Sequence, residues 1–469
     1  MAVFTGAEVS GIVGGNVLAG AAGLARARIL RVHADSRSVK NGDLFVALPG
    51  ERFDAHEFVP AAVAAGAVAV VVRADYAVPP ALAATGALLF GVADPLRAYQ
   101  QLAAAHRARF TLPLVAVTGS NGKTTTKEMV ASVLAARWRT LKTEGNLNNR
   151  IGVAQTLFRL NGRHEAAVIE MGVDDMGQTT RLCEIARPTL GLITNIGPDH
   201  LEFFKTMDRS AESKAELLAE LPADGAAILN ADDHYFGLFK KRAGGRLVSF
   251  GLAARADVRA EQIEPHGRDG TQFKLVLPGR SRRLLARIRV PGEHNVINAL
   301  AAAAVGVALD VPGSAIVAGL AKFRPAAMRS QIEMRHGVRI IVDCYNANPA
   351  STRAALRLLA ESKATGRRIA VLGDMLELGP TTAALHAEVG AYVAQQGIDA
   401  LIASGPLSLN LAQGARAAGM NAVHEAADAP AAAAELLTLV QPGDVVLVKA
   451  SRGMRLERVV EALRARRRT

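Results

Sequence analysis

The sequence predicts an α/β protein in three domains. A small N-terminal α/β domain occupies residues 1–110, a central P-loop domain with a mostly parallel sheet 111–325, and a C-terminal doubly wound, Rossmann-like domain 326–469. Three observations carry this. Short β-branched runs alternate with helical stretches along most of the chain, the order that builds parallel sheets covered on both faces. Residues 114–126 pass from an apolar run through a glycine turn into a helix start. Near Phe323-Arg324-Pro325 the alternation stops and then begins again. A chain of 469 residues also exceeds what one core supports.

Composition narrows the class. Half the residues are hydrophobic and 21% are charged, as in ordinary globular proteins. Cys183 and Cys344 are far apart and offer neither a disulfide framework nor zinc spacing, so a reducing cytoplasm is expected. The apolar stretch at 61–72 holds Gly66 and is shorter than the roughly 18 residues a membrane helix needs, so no membrane insertion is expected. No Lys or Arg precedes Arg26, which argues against a secretory signal. The net charge of +12 is scattered and aromatic residues make up only 4%, which disfavours nucleic acid and favours small polyanions. The basic run at 464–469 reads as a solvated helix end.

In the first domain, apolar runs at 29–37 and 42–50 are separated by turn signals, and a helical 58–65 leads into a strand at 68–72. Asp35-Ser36-Arg37 and the loop around Gly50 and His56 fall at strand ends, where α/β folds bind ligands, although such residues also suit a plain polar surface. An alanine-rich helix from about 95 ends before Pro113.

The central domain opens on the stretch Leu114-Val-Ala-Val-Thr-Gly-Ser-Asn-Gly-Lys-Thr-Thr-Thr126. Gly119 and Gly122 permit a tight turn whose backbone N–H groups, with those of Ser120, Asn121 and Thr125, can approach a polyphosphate. Lys123 is placed to neutralise the phosphates and Thr124 to offer its hydroxyl to Mg²⁺. The usual nucleotide loop would have glycine where Val117 stands, so the pattern also fits a strand-to-helix turn capped by Ser120 or Asn121. Strands are expected at 166–171, 190–196, 226–230 and 247–250, then antiparallel strands within 256–290 and a helix from Gly292 to about Val307.

Several residues here are candidates for chemistry. Glu170 ends a buried-looking strand, where a carboxylate can serve Mg²⁺ or pair with a helix end. Asn195, Asp199 and His200 share a strand-end loop. Thr143 to Gly152 gathers Asn146, Asn148, Asn149 and Arg150, which suits either a turn or contact with a polar ligand. Lys214, among glutamates on a helix, reads by itself as a solvated lysine.

The last domain is expected to carry strands at 339–342, 369–372, 400–403 and 445–448, with helices at 351–362, 383–395 and near 408–418. Loops bearing Asp343, Asn346, Asn348, Asp374, Lys449 and Arg452 leave three of these strands and form a polar crevice.

Taken together, these motifs resemble the Mur ligases, ATP-dependent amide-forming enzymes of peptidoglycan precursor synthesis, and most closely the dipeptide-adding branch. Thr-Gly-Ser-Asn-Gly-Lys-Thr-Thr at 118–125 is that family's own phosphate loop, which accounts for Val117. Gly-Asn-Leu-Asn-Asn at 145–149, Glu-Met-Gly at 170–172, Asn-Ile-Gly-Pro-Asp-His-Leu-Glu at 195–202 and His-Asn-Val-Ile-Asn-Ala-Leu at 294–300 also match. So do Tyr-Asn-Ala-Asn-Pro at 345–349 and Gly-Asp-Met-Leu-Glu-Leu-Gly at 373–379, typical of the dipeptide-adding member. An Asp-Asn-Pro-Arg motif, expected of the ligase that adds the third residue, is absent.

The resemblance implies that Lys123 and Thr124 hold the ATP phosphates and a first Mg²⁺, with Glu170 as a further ligand. It implies that His200 and a carbamylated Lys214 hold a second Mg²⁺. Asn298 would contact adenine, Arg329 the phosphates and Asp343 the ribose. Ser36 and Arg37 would meet the uridine diphosphate end of UDP-N-acetylmuramoyl-tripeptide in domain one, and Asn146, Asn148 and Asn149 the muramoyl-peptide part. Asn346, Asn348, Lys449 and Arg452 would border incoming D-alanyl-D-alanine in domain three. A monomer acting on small molecules is expected. The rival readings are a sibling amide ligase with other substrates and a non-enzymatic P-loop switch, which would need neither Lys214 nor the crevice.

Overall fold

The computed structural model describes residues 3–50 and 53–466, in two compact units. The first gathers the chain up to Ala116 with Leu141–Met171 and Thr180–Pro188, and the second gathers Val117–Thr140, Gly172–Thr179 and the chain from Thr189 onward. Among the described residues no helix is long and apolar enough to cross a membrane.

In the first unit a five-stranded sheet has the order Asn16–Ala19, Leu88–Val92, Ala69–Arg73, Asp43–Val46, Arg31–His33. Four strands are parallel and Asn16–Ala19 closes one edge antiparallel. The central strands are buried end to end, as expected when both faces are covered. Helix Pro95–Arg107 begins where Asp94 accepts the Leu96 and Arg97 N–H groups at 2.9 and 3.1 Å, with Pro95 in the first turn. The N-terminal strand and helix at Phe4–Thr5 and Gly6–Val13 carry a capping box built by Thr5 and Glu8.

Within the second unit, Leu190–Ile193, Ala226–Asn230 and Arg246–Gly251 pair in parallel. Val258–Pro265 continues in parallel, then Thr271–Val276 and Leu284–Ile288 turn antiparallel, matching the alternation expected over 256–290. Strand Leu190–Ile193 is shorter than expected: Thr194 N still donates to Thr118 O at 3.0 Å, but Asn195 O then accepts from Ser120 N of the phosphate loop at 2.8 Å.

A separate six-stranded sheet has the order Gln331–Arg335, Val338–Val342, Val445–Lys449, Arg368–Gly373, Ala400–Ser404, Val423–Ala426. Only the first pair is antiparallel. Successive residues feed opposite cores: Ile340, Val371 and Val446 pack on one face, and Ile341, Ala370, Leu372 and Leu447 on the other. Helices Ala429–Leu439 and Glu457–Ala465 cover the first face, while Pro349–Glu361, Thr382–Gln395 and Ser408–Ala417 cover the second.

One expectation about the C-terminus changes. Arg464 is not simply solvated: its guanidinium grips the Glu333 carboxylate on the edge strand, with Nε and Nη2 at 3.0 and 2.5 Å. The end of the basic run, residues 467–469, lies outside the described residues.

Candidate active site

Strand Leu114–Thr118 runs fully buried into the loop, and helix Lys123–Leu134 starts directly after it. The loop is shaped by close approach. Gly119 has φ +134°, and a Cβ there would stand 2.0 Å from Thr194 Oγ1; Gly122 has φ +78°, and its Cβ would meet Asn298 Oδ1 at 2.5 Å. Only glycine fits either place. The loop rests on the neighbouring strand end: Ser120 N donates to Asn195 O (2.8 Å), Asn121 N to Asn195 Oδ1 (3.1 Å) and Thr194 Oγ1 to Asn121 O (2.6 Å).

Lys123 extends its ammonium over the loop, donating to Gly119 O at 2.6 Å and Ser120 O at 3.2 Å, and stands 3.7 Å from Asp199 Oδ2. Thr124 is buried and Thr125 half-buried in the first helical turn. Asn298 lies against that turn, accepting from Thr126 Oγ1 at 3.1 Å and donating to Asn295 Oδ1 at 3.3 Å.

His200 and Lys214 follow on the next segment. His200 begins a short helix, Leu201–Phe204, from a left-handed backbone with φ +54°. Its Nε2 is 3.7 Å from Asp199 Oδ2 and its Nδ1 is 2.5 Å from Glu377 Oε2. Burial lowers its pKa, but Glu377 and Asp199 outweigh this, and the net shift is upward.

Lys214 corrects the reading of its residues alone. It is not solvated but 1% exposed on helix Met207–Ala219, its Nζ 2.8 Å from Ser210 Oγ and 4.6 Å from the Phe204 ring centre. Burial, then repulsion from Lys123, pushes its pKa down to about 7 despite the opposing pull of Asp199. At a pKa of about 7 roughly half of such an amine is neutral at pH 7, and the neutral form is a nucleophile.

From the six-stranded sheet, three strand-end loops converge as expected. Lys449 Nζ bonds Asp343 Oδ2 at 2.7 Å and Asn346 O at 2.9 Å. Asp343 Oδ1 also accepts from Ser330 N at 3.0 Å. Arg329 stacks on Tyr345 at 4.1 Å, between Met328 and Ser330, both with positive φ. Asn348 caps helix Pro349–Glu361, and its Nδ2 donates to Asn121 Oδ1 in the phosphate loop at 2.7 Å. Arg452 lies further out, 3.2 Å from Glu457 Oε1.

Other candidates lie in the first unit. Glu170 is 1% exposed and accepts from Asn148 Nδ2 at 2.8 Å, while its N–H donates to Thr143 Oγ1 at 3.0 Å. Asn149 Oδ1 accepts from Ile151 N and Gly152 N, so this asparagine shapes its own loop. Asn146 supplies a backbone carbonyl to Asn148 N at 2.7 Å. Ser36 and Arg37 sit on an exposed turn capped by Asp35, which also pairs with the Arg37 guanidinium at 2.8 Å.

Sequence reasoning missed the individual roles of Glu377, Ser210 and Phe204. Glu377 lay inside a quoted motif, but Ser210 and Phe204 matter only through what they pack against. Among the described residues no three His, Cys, Asp or Glu side chains gather to hold a metal ion. The buried Thr124 hydroxyl is an oxygen donor of the kind Mg²⁺ takes, its shell being completed by phosphate and water. Gly119 and Gly122 keep the loop tight against Thr194 and Asn298, and it opens into the N-terminus of helix Lys123–Leu134, where backbone N–H groups suit a polyphosphate.

Known families match three successive stretches. Residues 28–107 match the Mur ligase family catalytic domain, 117–306 the Mur ligase middle domain and 328–452 the Mur ligase glutamate ligase domain. The chain is 40% identical over 444 residues to the UDP-N-acetylmuramoyl-tripeptide--D-alanyl-D-alanine ligase of Synechocystis sp., covering 93% of this chain and 92% of that protein. The Escherichia coli protein of that name is 38% identical over 439 residues, covering 92% and 93%. A crystal structure of MurF from Acinetobacter baumannii superposes with a TM-score of 0.90 at 32% identity, covering 99% of each chain. MurF from Thermotoga maritima in complex with ADP gives 0.81 at 26% identity, covering 92% of this chain and 97% of that one.

Proposed function

The chain belongs to the Mur ligase family, and from that premise we propose that it joins D-alanyl-D-alanine to UDP-N-acetylmuramoyl-tripeptide at the expense of ATP. The terminal carboxylate of the tripeptide attacks the γ-phosphate of ATP to give an acyl phosphate, and the dipeptide amine then displaces phosphate. ADP and phosphate leave, and the product is a precursor of peptidoglycan. The observation that carries this is the phosphate loop, where Gly119 and Gly122 bring the chain tightly round into helix Lys123–Leu134 and Lys123 extends its ammonium over the turn.

Phosphoryl transfer of this kind depends on positioning and charge neutralisation more than on covalent help from the protein. Gly119 to Thr125 would hold the phosphates through backbone N–H groups, and Lys123 would leave its own loop carbonyls for their oxygens. Thr124 and Glu170 would serve one Mg²⁺, and His200 and carbamylated Lys214 a second; when bound, the ions would neutralise polyphosphate charge. Carbamylation of Lys214 turns a buried amine into an anionic oxygen ligand, and the depressed pKa supports it because only the neutral amine adds CO₂.

Asn298, Arg329 and Asp343 would serve the nucleoside and phosphates of ATP. Ser36, Arg37, Asn146, Asn148 and Asn149 would serve the UDP-linked tripeptide, and Asn346, Asn348, Lys449 and Arg452 the dipeptide. These roles divide the chain into a precursor domain at 1–110, an ATP domain at 111–325 and a dipeptide domain at 326–469. It acts as a cytoplasmic monomer.

Phosphate release tests the activity. It should require both UDP-N-acetylmuramoyl-tripeptide and D-alanyl-D-alanine; release indifferent to either overturns the assignment. Lys214→Ala should lose turnover and regain part of it with added short carboxylic acids, and unaltered turnover overturns the carbamate role.

A further inference from the structure

We propose that Glu377 is a positioning residue of this site: from a loop of the six-stranded sheet, its carboxylate holds the His200 ring by Nδ1 and leaves Nε2 facing Asp199 and Lys123. The inference rests on the reading of His200 as a metal ligand. Glu377 Oε2 lies 2.5 Å from His200 Nδ1, an ion-pair contact outside directed hydrogen-bond geometry, whereas Nε2 lies 3.7 Å from Asp199 Oδ2, itself 3.7 Å from Lys123 Nζ. A carboxylate on one ring nitrogen fixes the ring's orientation and keeps the lone pair of the other available for a metal.

The loop that delivers Glu377 is pinned at successive residues. Asp374 Oδ1 accepts from Ser408 N and Oγ, both at 2.8 Å, Met375 N donates to His386 Nε2 at 3.0 Å and Leu376 N to Ser451 Oγ at 3.0 Å. Glu377 then takes φ +64° opposite His200 at φ +54°, and its carbonyl accepts from Glu202 N at 3.1 Å. Behind it Gly379 keeps φ +59°, where a Cβ would stand 3.1 Å from Glu202 Cα. Two facing non-glycine residues in the left-handed region carry a strain that persists where the surroundings over-determine it and that clusters at functional sites. The contact is half-exposed, so its worth to stability is small. Orientation of His200 is what it supplies.

Mn²⁺ binding to the full-length protein in the presence of ADP, read as loss of the free-ion signal in electron paramagnetic resonance, tests this without turnover. Glu377→Ala should weaken Mn²⁺ binding about 10–100-fold, the usual consequence of losing such a carboxylate. Glu377→Gln should fall between that variant and the parent, and the melting temperature should stay within about 3 °C of the parent, as suits an exposed pair. Under turnover Glu377→Ala should lower kcat and leave KM for the UDP-linked tripeptide unchanged. Leu376→Ala, on the same loop, should bind Mn²⁺ as the parent does. If His200→Ala weakens Mn²⁺ binding and Glu377→Ala does not, the positioning role is overturned while the ligand role stands. If neither weakens it, the ligand reading of His200 falls and this inference with it.

Discussion

Gly119 offers the sharpest test of the phosphate loop, because a methyl group there meets Thr194 Oγ1 at 2.0 Å and a backbone at φ +134°. Gly119→Ala should destabilise the protein by about 1–3 kcal/mol and abolish ADP binding, measured by denaturant melts and calorimetry; ADP binding at parental affinity would refute the cradle. Lys123→Met, by contrast, removes the charge and two hydrogen bonds to loop carbonyls while keeping the side chain's bulk, so it should fold and lose turnover by at least about a hundredfold. These residues were legible in the sequence because their spacing is local: glycine, lysine and threonine occupy consecutive positions at a strand end. Lys214 was not legible on its own residues. Its neighbours in sequence are glutamates, but its fate is set by Phe204 and Ser210 and by burial, which is a tertiary property.

Among elements, buried parallel strands such as Val338–Val342 and Val445–Lys449 could be read to within a residue or two because they are mostly apolar, whereas Leu190–Ile193 ends three residues before the expected 196. The edge strands Gln331–Arg335 and Val423–Ala426 could not, being mixed in polarity and half-exposed on the side that meets water. What joins these strands to their turns is open to test at Asp444. Its carboxylate accepts from Arg367 N at 2.8 Å, Gln441 N at 2.9 Å and Arg367 Nη2 at 2.9 Å. Burial pushes its pKa up, but these bonds prevail and the net shift is downward. A depressed carboxyl pKa contributes stability that is present above the unfolded value of about 3.9 and is lost as pH falls through the folded value. Asp444→Asn should therefore cost about 1–3 kcal/mol at pH 7, with the deficit shrinking below about pH 4 in urea melts. A deficit independent of pH would show that charge is not what Asp444 contributes. Helices Thr382–Gln395 and Ser408–Ala417 meet through two glycines: a Cβ on Gly390 would reach Leu411 O at 1.9 Å, and one on Gly414 would reach Ala387 O at 2.0 Å. Gly390→Ala should force that pair apart and lower stability by about 1–3 kcal/mol.

For the molecule as a whole, length and the restarting strand pattern foretold several cores, and separate sheets are what the chain forms. The grouping of residues into compact units was beyond the sequence, because which segments pack densely depends on contacts between distant residues: Leu141–Met171 joins the unit that holds the N-terminal sheet. The proposed division of labour among substrates makes a prediction at this scale. The phosphate loop, Asn298, Arg329 and Asp343 all belong to the second unit, and Ser36, Arg37 and the Asn146–Asn149 loop to the first. A ligand that binds only the native state stabilises it by RT ln(1 + [L]/Kd), about 2.7 kcal/mol at a hundredfold excess over Kd, and amide exchange slows where local opening would break the site. ADP should therefore slow exchange at 119–126 and 329–343 and leave the sheet strands from Arg31–His33 to Leu88–Val92 unchanged. UDP-N-acetylmuramoyl-tripeptide should slow exchange at 35–38 and 145–152 without ADP present. Asn348→Ala removes both a helix cap, worth about 1 kcal/mol, and the hydrogen bond to Asn121 at 2.7 Å. It should leave the precursor's protection intact while weakening that given by ADP, whereas equal loss of both would contradict the assignment of the two ligands to different residues.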